Sequence, residues 1–109
     1  MDPRLKAGIF ISMALRLGDI SGKPGMVVRK GDPDAGAILC LLRGRAGTLV
    51  LSQTRDGEGR PAWLRATAIG PDAEAEAHVA RQVARDPDLW VVEFEAGDFV
   101  PPFEARILK

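Results

Sequence analysis

The chain has 109 residues, with 15 basic residues against 15 acidic ones and a hydrophobic fraction of 46%. That length is typical of one domain, and the balanced charge argues against a partner recognised mainly by charge, such as nucleic acid or a membrane surface. We predict a single domain over residues 1–109.

The N-terminal region and the cysteine content bear on where the protein resides. The apolar stretch at 7–15 is too short to span a bilayer, and Arg16 and Asp19 follow it where a signal peptide would have its cleavage site. Cys40 is the only cysteine, so no disulfide can form within the chain. We therefore expect a cytoplasmic protein.

The first predicted element is a helix at about 8–20. Phe10, Met13, Leu17 and Ile20 recur at steps of three and four residues, which is the spacing of one helical face. The isoleucines on either side of Phe10 leave open a strand at the start of this segment. Glycine and proline that follow Ile20 end the element.

Strand-like segments follow at 26–30, 37–43, 48–52 and 62–68, separated by turns that contain glycine. Between 37 and 42 both alternating sets of side chains are apolar, which is typical of a central strand covered on both faces. Two helices and a tail must therefore divide between the two faces, or a second copy of the chain must cover one of them. A homodimer stays open at this point.

A second helix is predicted at 71–85, directly before a strand at 89–95. Acidic side chains lie near its start and arginines near its end, as the helix dipole favours. One apolar stripe runs along it, formed by Ala75, Val79 and Val83. Pro87 disfavours helical geometry at the preceding residue and ends the helix there.

Together these elements predict an α+β domain: an antiparallel sheet of four to five strands with two main helices packed on it. Pro101 and Pro102 exclude a central strand from the C-terminal tail, while Phe99 and Phe103 make the tail too apolar for a free end. The tail is expected to pack on the body of the domain or on a neighbouring subunit.

Polar and aromatic side chains at the predicted strand ends and turns are the candidates for contact with a ligand or partner. They are Arg29, Lys30, Asp32, Asp34, Trp63, Arg65, Asp86 and Asp88. Trp63 alternates with Arg65 and is expected to be half-exposed, whereas Trp90 alternates with valine and phenylalanine and is expected in the core. We assign no catalytic residue, no metal ligand and no cofactor.

Two features suggest enzymatic chemistry and also have plain structural explanations. The Asp-Pro-Asp turns at 32–34 and 86–88 carry paired carboxylates, which suit a hard cation or acid–base work if the two turns meet in space. Aspartate is also a common turn residue, because its carboxylate accepts nearby backbone N–H groups. His78 is the only histidine and Cys40 lies in an apolar run, so neither indicates a reactive site.

Three segments, at 4–11, 28–38 and 86–93, together resemble the family of small bacterial proteins known as domain-of-unknown-function family 1491. The resemblance covers about residues 4–95, and the Asp-Pro-Asp-Leu-Trp segment is its most specific part. It implies a domain core at 4–95 and a C-terminal extension at 96–109. Phe10 stands where the family usually has tryptophan, and the tail from Gly97 extends beyond the resemblance. It implies a soluble, cytoplasmic, bacterial protein of α+β type, and it brings no activity, cofactor or catalytic residue.

The leading interpretation is a non-enzymatic module that binds an unidentified protein partner or a second copy of itself. The first alternative is a small metal-assisted or acid–base hydrolase that uses the two Asp-Pro-Asp turns. The second is a nucleic-acid-binding domain. It requires one continuous patch around Trp63, formed by Arg29, Lys30, Arg43, Arg45 and Arg65.

Overall fold

A computed structural model describes residues 5–108 of the chain; Arg4, with which the family resemblance begins, lies outside the described residues. The helices are α1 (Ala7–Ser21) and α2 (Asp72–Arg85). The strands are β1 (Gly25–Arg29), β2 (Ile38–Gly44), β3 (Gly47–Arg55), β4 (Pro61–Arg65), β5 (Trp90–Glu95) and β6 (Ile107–Leu108). Each helix and each longer strand overlaps a segment that the sequence pattern predicts, although β3 continues beyond the predicted 48–52 to Arg55.

The strands form one mixed sheet in the order β1-β5-β2-β3-β4-β6. The pairs β1–β5, β2–β3 and β3–β4 are antiparallel, while β2–β5 and β4–β6 are parallel. The prediction of two helices on the sheet of an α+β domain is confirmed, but an antiparallel sheet of four to five strands is wrong.

The error has a physical cause in two connections. Helix α2 carries the chain over one face of the sheet, so β5 runs in the same direction as β4, as strands joined by a helical crossover do. Strand β5 then inserts between β1 and β2, two strands that are distant from it in sequence. Strand β6 has two residues, too few to give a periodic signal.

Strand β2 is the centre of the core. Every residue from Ile38 to Leu42 is buried. Ile38, Cys40 and Leu42 belong to a cluster on the α1 face, and Leu39 and Leu41 to a second cluster on the α2 face. The expectation that the helices divide between the two faces of this strand is confirmed.

Helix α1 rests on the sheet through a row of mostly small residues. Its buried positions are Ala7, Ile11, Ala14 and Gly18. At Gly18 an added Cβ would lie 2.4 Å from the carbonyl oxygen of Lys23. Small residues are needed there because the backbone approaches so closely.

The predicted helical face is therefore wrong in part. Ile20 is 73% exposed and Met13 is 37% exposed, whereas Phe10 and Leu17 are half-buried. The alternative of a strand at the start of this segment is also wrong, because α1 is helical from Ala7 onward. The periodic spacing of the large side chains predicted that they form the buried face of α1. The close approach of the helix to the sheet buries mostly small residues instead.

The C-terminal tail crosses the α1 face and covers Trp63. The ring of Phe103 lies 5.1 Å from that of Phe10, edge to face, and 5.2 Å from that of Trp63. Trp63 is only 4% exposed, so the prediction of a half-exposed Trp63 is wrong; Trp90 is buried as expected. The sequence pattern of one strand does not reveal a cover supplied by a tail 40 residues further on.

The packing of α2 predicts the effect of a charge on its apolar stripe. Val79 packs against the buried α2-face cluster, whereas the next residue, Ala80, is exposed. We expect Val79→Asp to lower the free energy of unfolding by about 2–3 kcal/mol more than Ala80→Asp, because only the first places an unpaired carboxylate against the sheet. Urea denaturation of both variants measures the difference, and equal midpoints would contradict the packing of α2.

Candidate functional site

The two Asp-Pro-Asp turns lie side by side, at the end of the sheet where β2 and β5 begin. The backbone N–H of Asp32 donates to the carbonyl oxygen of Asp88 at 3.0 Å. The indole N–H of Trp90 donates to the carbonyl oxygen of Asp32 at 2.7 Å. Because Gly31 has no side chain, the backbones can touch: an added Cβ there would lie 2.2 Å from the carbonyl oxygen of Asp88.

The first aspartate of each turn, Asp32 or Asp86, binds the backbone of its own turn through its carboxylate. Asp32 Oδ1 accepts the N–H groups of Ala35 and Asp34, which lowers the pKa of Asp32. Asp86 Oδ1 accepts the N–H of Asp88 at 3.1 Å. Within residues 5–108 no group of three or more His, Cys, Asp or Glu side chains is placed to hold a metal ion. The turns meet, as the hydrolase alternative requires, but Asp32 and Asp86 cap their own turns and Asp34 faces Lys6 at 3.7 Å.

The basic candidates do not assemble into a patch around Trp63. Arg29 Nη1 donates to the carbonyl oxygens of Pro87 and Leu89, both at 2.9 Å, so it fastens β1 to the turn before β5. Lys30 lies at the same sheet edge, whereas Arg65 lies on β4. Strands β5, β2 and β3 separate the two positions. The arrangement that a nucleic-acid-binding domain would need is not formed by these residues.

Cys40 and His78 do not form a reactive pair at the surface. Cys40 is fully buried in β2, and the burial raises the pKa of its thiol far above the usual range. His78 lies on α2, where partial burial and then the charges of Arg81 and Arg85 lower its pKa.

A cavity of about 1100 Å³ opens on the α1 face, at the end of the sheet where β2 and β4 begin and β3 ends. We call it the α1–tail groove, since it lies between the first half of α1, the 34–37 loop, the β3–β4 turn and the tail. Its apolar lining includes Leu5, Phe10, Met13, Ile38 and Trp63. Its charged rim includes Asp34, Arg55, Glu58, Arg60, Glu104 and Arg106.

One carboxylate organises this rim. The Asp56 side chain is only 6% exposed, and its Oδ2 lies 3.1 Å from Arg60 Nε and 3.4 Å from Arg106 Nη1. Its Oδ1 accepts the backbone N–H groups of Glu58 at 2.8 Å and Arg60 at 2.9 Å. Asp56 thereby ties the tail to the β3–β4 turn and holds two guanidinium groups at the edge of the groove.

The same contacts control the ionisation of Asp56. The backbone N–H of Arg60 is the largest cause that lowers its pKa, and the Glu58 N–H and the Arg60 side chain add to it against the opposing effect of burial. The guanidinium groups that it orients remain open to solvent, since the Arg60 and Arg106 side chains are each 54% exposed.

The groove contains few of the residues that sequence reasoning selected. Trp63 and Asp34 line it, whereas Arg29, Lys30, Asp32, Arg65, Asp86 and Asp88 are absent from its lining. The charged turn around Asp56 was visible in the sequence, with Arg55, Glu58 and Arg60 close by. Arg106 is distant in sequence, and only the fold brings it there.

A family model described as protein of unknown function, DUF1491, matches residues 5–104 of this chain. The match runs past residue 95 into the tail, as far as Glu104 at the groove rim. The chain matches no curated protein. No helix within residues 5–108 is both long enough and apolar enough to cross a membrane.

Solved structures from two bacteria have a closely similar fold. The crystal structure of a DUF1491 family protein from Caulobacter crescentus CB15 is 28% identical, covers 96% of this chain and 100% of that one, and gives a TM-score of 0.87. The NMR structure of a DUF1491 family protein from the same organism is 27% identical over 96% and 97% of the chains, with a TM-score of 0.85. The solution structure of protein Atu0922 from A. tumefaciens is 24% identical over 97% and 98%, with a TM-score of 0.83, which shows a shared fold.

The contact between the two turns predicts a cost for a single methyl group. Gly31→Ala should lower the free energy of unfolding by about 1–3 kcal/mol, because its Cβ would collide with backbone. Gly57→Ala is the matched control, since nothing lies within 4 Å of a Cβ at that position. Thermal unfolding of both variants decides the matter, and equal stability would show that the turns do not touch.

The role of Asp56 predicts a pH-dependent loss of stability. Its pKa is lowered in the folded chain, so its ionised form adds stability at neutral pH that is lost as the pH falls below about 3.9 and through the folded pKa. Asp56→Asn should therefore unfold at a lower temperature than the natural chain at neutral pH, and the gap should narrow as the pH falls. Glu76→Gln, at an exposed site on α2, is the control. A gap that is constant with pH would refute the role assigned to the Asp56 charge.

Proposed function

We propose that this chain, which belongs to the DUF1491 family, is a non-enzymatic binding module that holds an extended segment of a protein partner in the α1–tail groove. The observation that carries the proposal is the groove itself: an open cavity of about 1100 Å³ with an apolar wall on one side and an anchored charged rim on the other. Its volume reaches that of pockets that enclose whole ligands.

The apolar wall of the groove is evidence that the bound segment carries apolar side chains. Leu5 is 46% exposed and Met13 is 37% exposed, and both line the groove. The neighbouring Ile9 on α1 is 56% exposed. Large apolar side chains that cluster beside a groove are typical of an interaction surface, because burying them on binding is favourable.

The charged rim is evidence that the bound segment of the partner contains an acidic residue. Arg60 and Arg106 share one oxygen of Asp56, so a single carboxylate faces two guanidinium groups there. Arg60 also contacts Glu58 at 2.7 Å, while Arg106 keeps more of its donors free for a ligand. Guanidinium groups bind carboxylates through paired hydrogen bonds. The segment that fits best has an acidic side chain next to apolar ones.

The chemistry of the groove favours binding over catalysis. Its charged side chains are arginines and carboxylates, several of them in ion pairs, such as Arg60 with Glu58. Cys40 is sealed within β2, and His78 is on α2, which packs on the other face of the sheet. A nucleophile with a neighbouring base, which covalent catalysis needs, has no counterpart among the groove residues.

Selection from a phage-displayed peptide library tests the proposal. We expect enriched peptides that combine an acidic residue with apolar neighbours, and their binding should shift the NMR signals of residues at the groove. Met13→Lys and Arg106→Glu should each weaken binding about tenfold, a loss of about 1.4 kcal/mol. Arg65→Glu is the matched control, because Arg65 is exposed on β4 outside the groove lining.

Two outcomes would contradict the proposed function. One is a selection that enriches no peptide family over the unselected library. The other is a set of enriched peptides whose binding shifts the signals of α2 and leaves the groove unchanged, or whose affinity is lowered equally by Arg65→Glu and Arg106→Glu.

A further inference from the structure

The tail borders the α1–tail groove with residues whose burial alternates. Phe103 is buried in the α1-face cluster, and Ala105 and Ile107 pack against that cluster. Glu104 and Arg106, which lie between them, are exposed and line the groove. Alternate burial is the pattern of an extended chain, in which every second side chain points to the same side. Glu104 and Arg106, which we call the tail pair, therefore share one side of the tail with Cα atoms about 7 Å apart.

The tail pair offers two charges of opposite sign. The Glu104 side chain makes no ion pair and no hydrogen bond within residues 5–108. The Arg106 side chain is 54% exposed and contacts Asp56 through Nη1 at 3.4 Å. A segment that binds here meets a carboxylate and a guanidinium group two residues apart. It complements them with a basic and an acidic side chain at the same spacing, because each charge pairs with its opposite.

The opposite wall of the groove is apolar. Phe10 and Met13 line it from α1, and Met13 is 37% exposed. Side chains of a bound segment that point away from the tail pair face this wall. Apolar side chains suit that position, because burying them against the wall is favourable.

The floor of the groove carries a side-chain amide. Gln53 on β3 is the register partner of Trp63 on β4, so their side chains lie on the same face of the sheet, and both residues line the groove. Gln53 is half-buried, and its amide makes no hydrogen bond in the part of the chain that the structure describes. A side-chain amide both donates and accepts. It can therefore bind the N–H and C=O groups of an extended backbone that passes over it.

We propose that the groove binds an extended segment with the pattern acidic–apolar–basic, in one of the two chain directions; this assignment rests on the function proposed above. Successive side chains of an extended segment point to opposite sides. The acidic side chain then faces Arg106 and the basic one faces Glu104. The apolar side chain between them faces Met13, and the backbone passes over Gln53. Glu104 and Gln53 thereby become residues that determine which segment binds.

The floor favours an extended segment over a helical one. Residues four apart on a helix are separated by about 6 Å along its axis, so two charged side chains of a helix could also reach the tail pair. The backbone N–H and C=O groups of a helix bond to one another, however, and leave the amide of Gln53 without a backbone partner. An extended segment uses both the tail pair and the amide.

Isothermal titration calorimetry with isomeric peptides tests the pattern. Each peptide has blocked ends and contains one glutamate and one lysine among valine and serine residues, with the two charges adjacent, two positions apart or four positions apart. The two-apart peptide is made in both orders, because the tail pair does not fix the chain direction. We expect the better of these two to bind the natural chain about tenfold more tightly than the adjacent and four-apart isomers.

A charge reversal tests the role of Glu104. Glu104→Lys should weaken the binding of the two-apart peptide about tenfold, and a peptide with glutamate in place of its lysine should recover the natural affinity on this variant. Glu76→Lys is the matched control, because Glu76 is exposed on α2 outside the groove lining, and it should bind like the natural chain. Gln53→Leu should weaken the two-apart peptide more than the four-apart one.

Two outcomes overturn this inference and leave the proposed function in place. One is equal affinity for all the isomers, and the other is a loss of affinity in Glu104→Lys that the second glutamate does not restore. Failure of every isomer to bind overturns the pattern as well. The peptides selected from the library then decide the proposed function separately.

Discussion

The structure depends on one constraint: β2 is apolar on both faces and must be covered on both. A single layer of helices cannot do this. Helix α1 therefore covers one face of β2, and α2, which follows β4 in the chain, covers the other. The crossover through α2 then delivers β5 to the open side of β2, and the parallel pairing of these two strands completes the burial of Val91 and Val92.

The same constraint explains why the tail and the groove exist. Helix α1 is built from small residues where it meets the sheet, and it leaves part of the α1 face beyond its reach. The tail fills that part with Phe103 and then adds β6 along β4. The space between helix, turn and tail is the groove. Asp56 joins two sides of the groove, because this carboxylate in the β3–β4 turn contacts Arg106 of the tail.

Local sequence patterns predicted most elements and few of their contacts. The apolar run of β2 and the stripe on α2 are local signals, so the central strand and the second helix could be predicted. The position of β5 could not, because it depends on which long-range pairing buries the most apolar surface. The burial of Trp63 also depends on a distant partner, Phe103. The groove could not be predicted for the same reason, because Asp56 and Arg106 come into contact only when the tail packs on the domain.

Native-state hydrogen exchange tests the central role of β2 most directly. If β2 anchors the fold, the amides of Ile38–Leu42 should exchange only through global unfolding, while those of β6 and the tail open at a lower free energy. Exchange in β2 that is as fast as in the tail would show that the doubly covered strand does not hold this structure together.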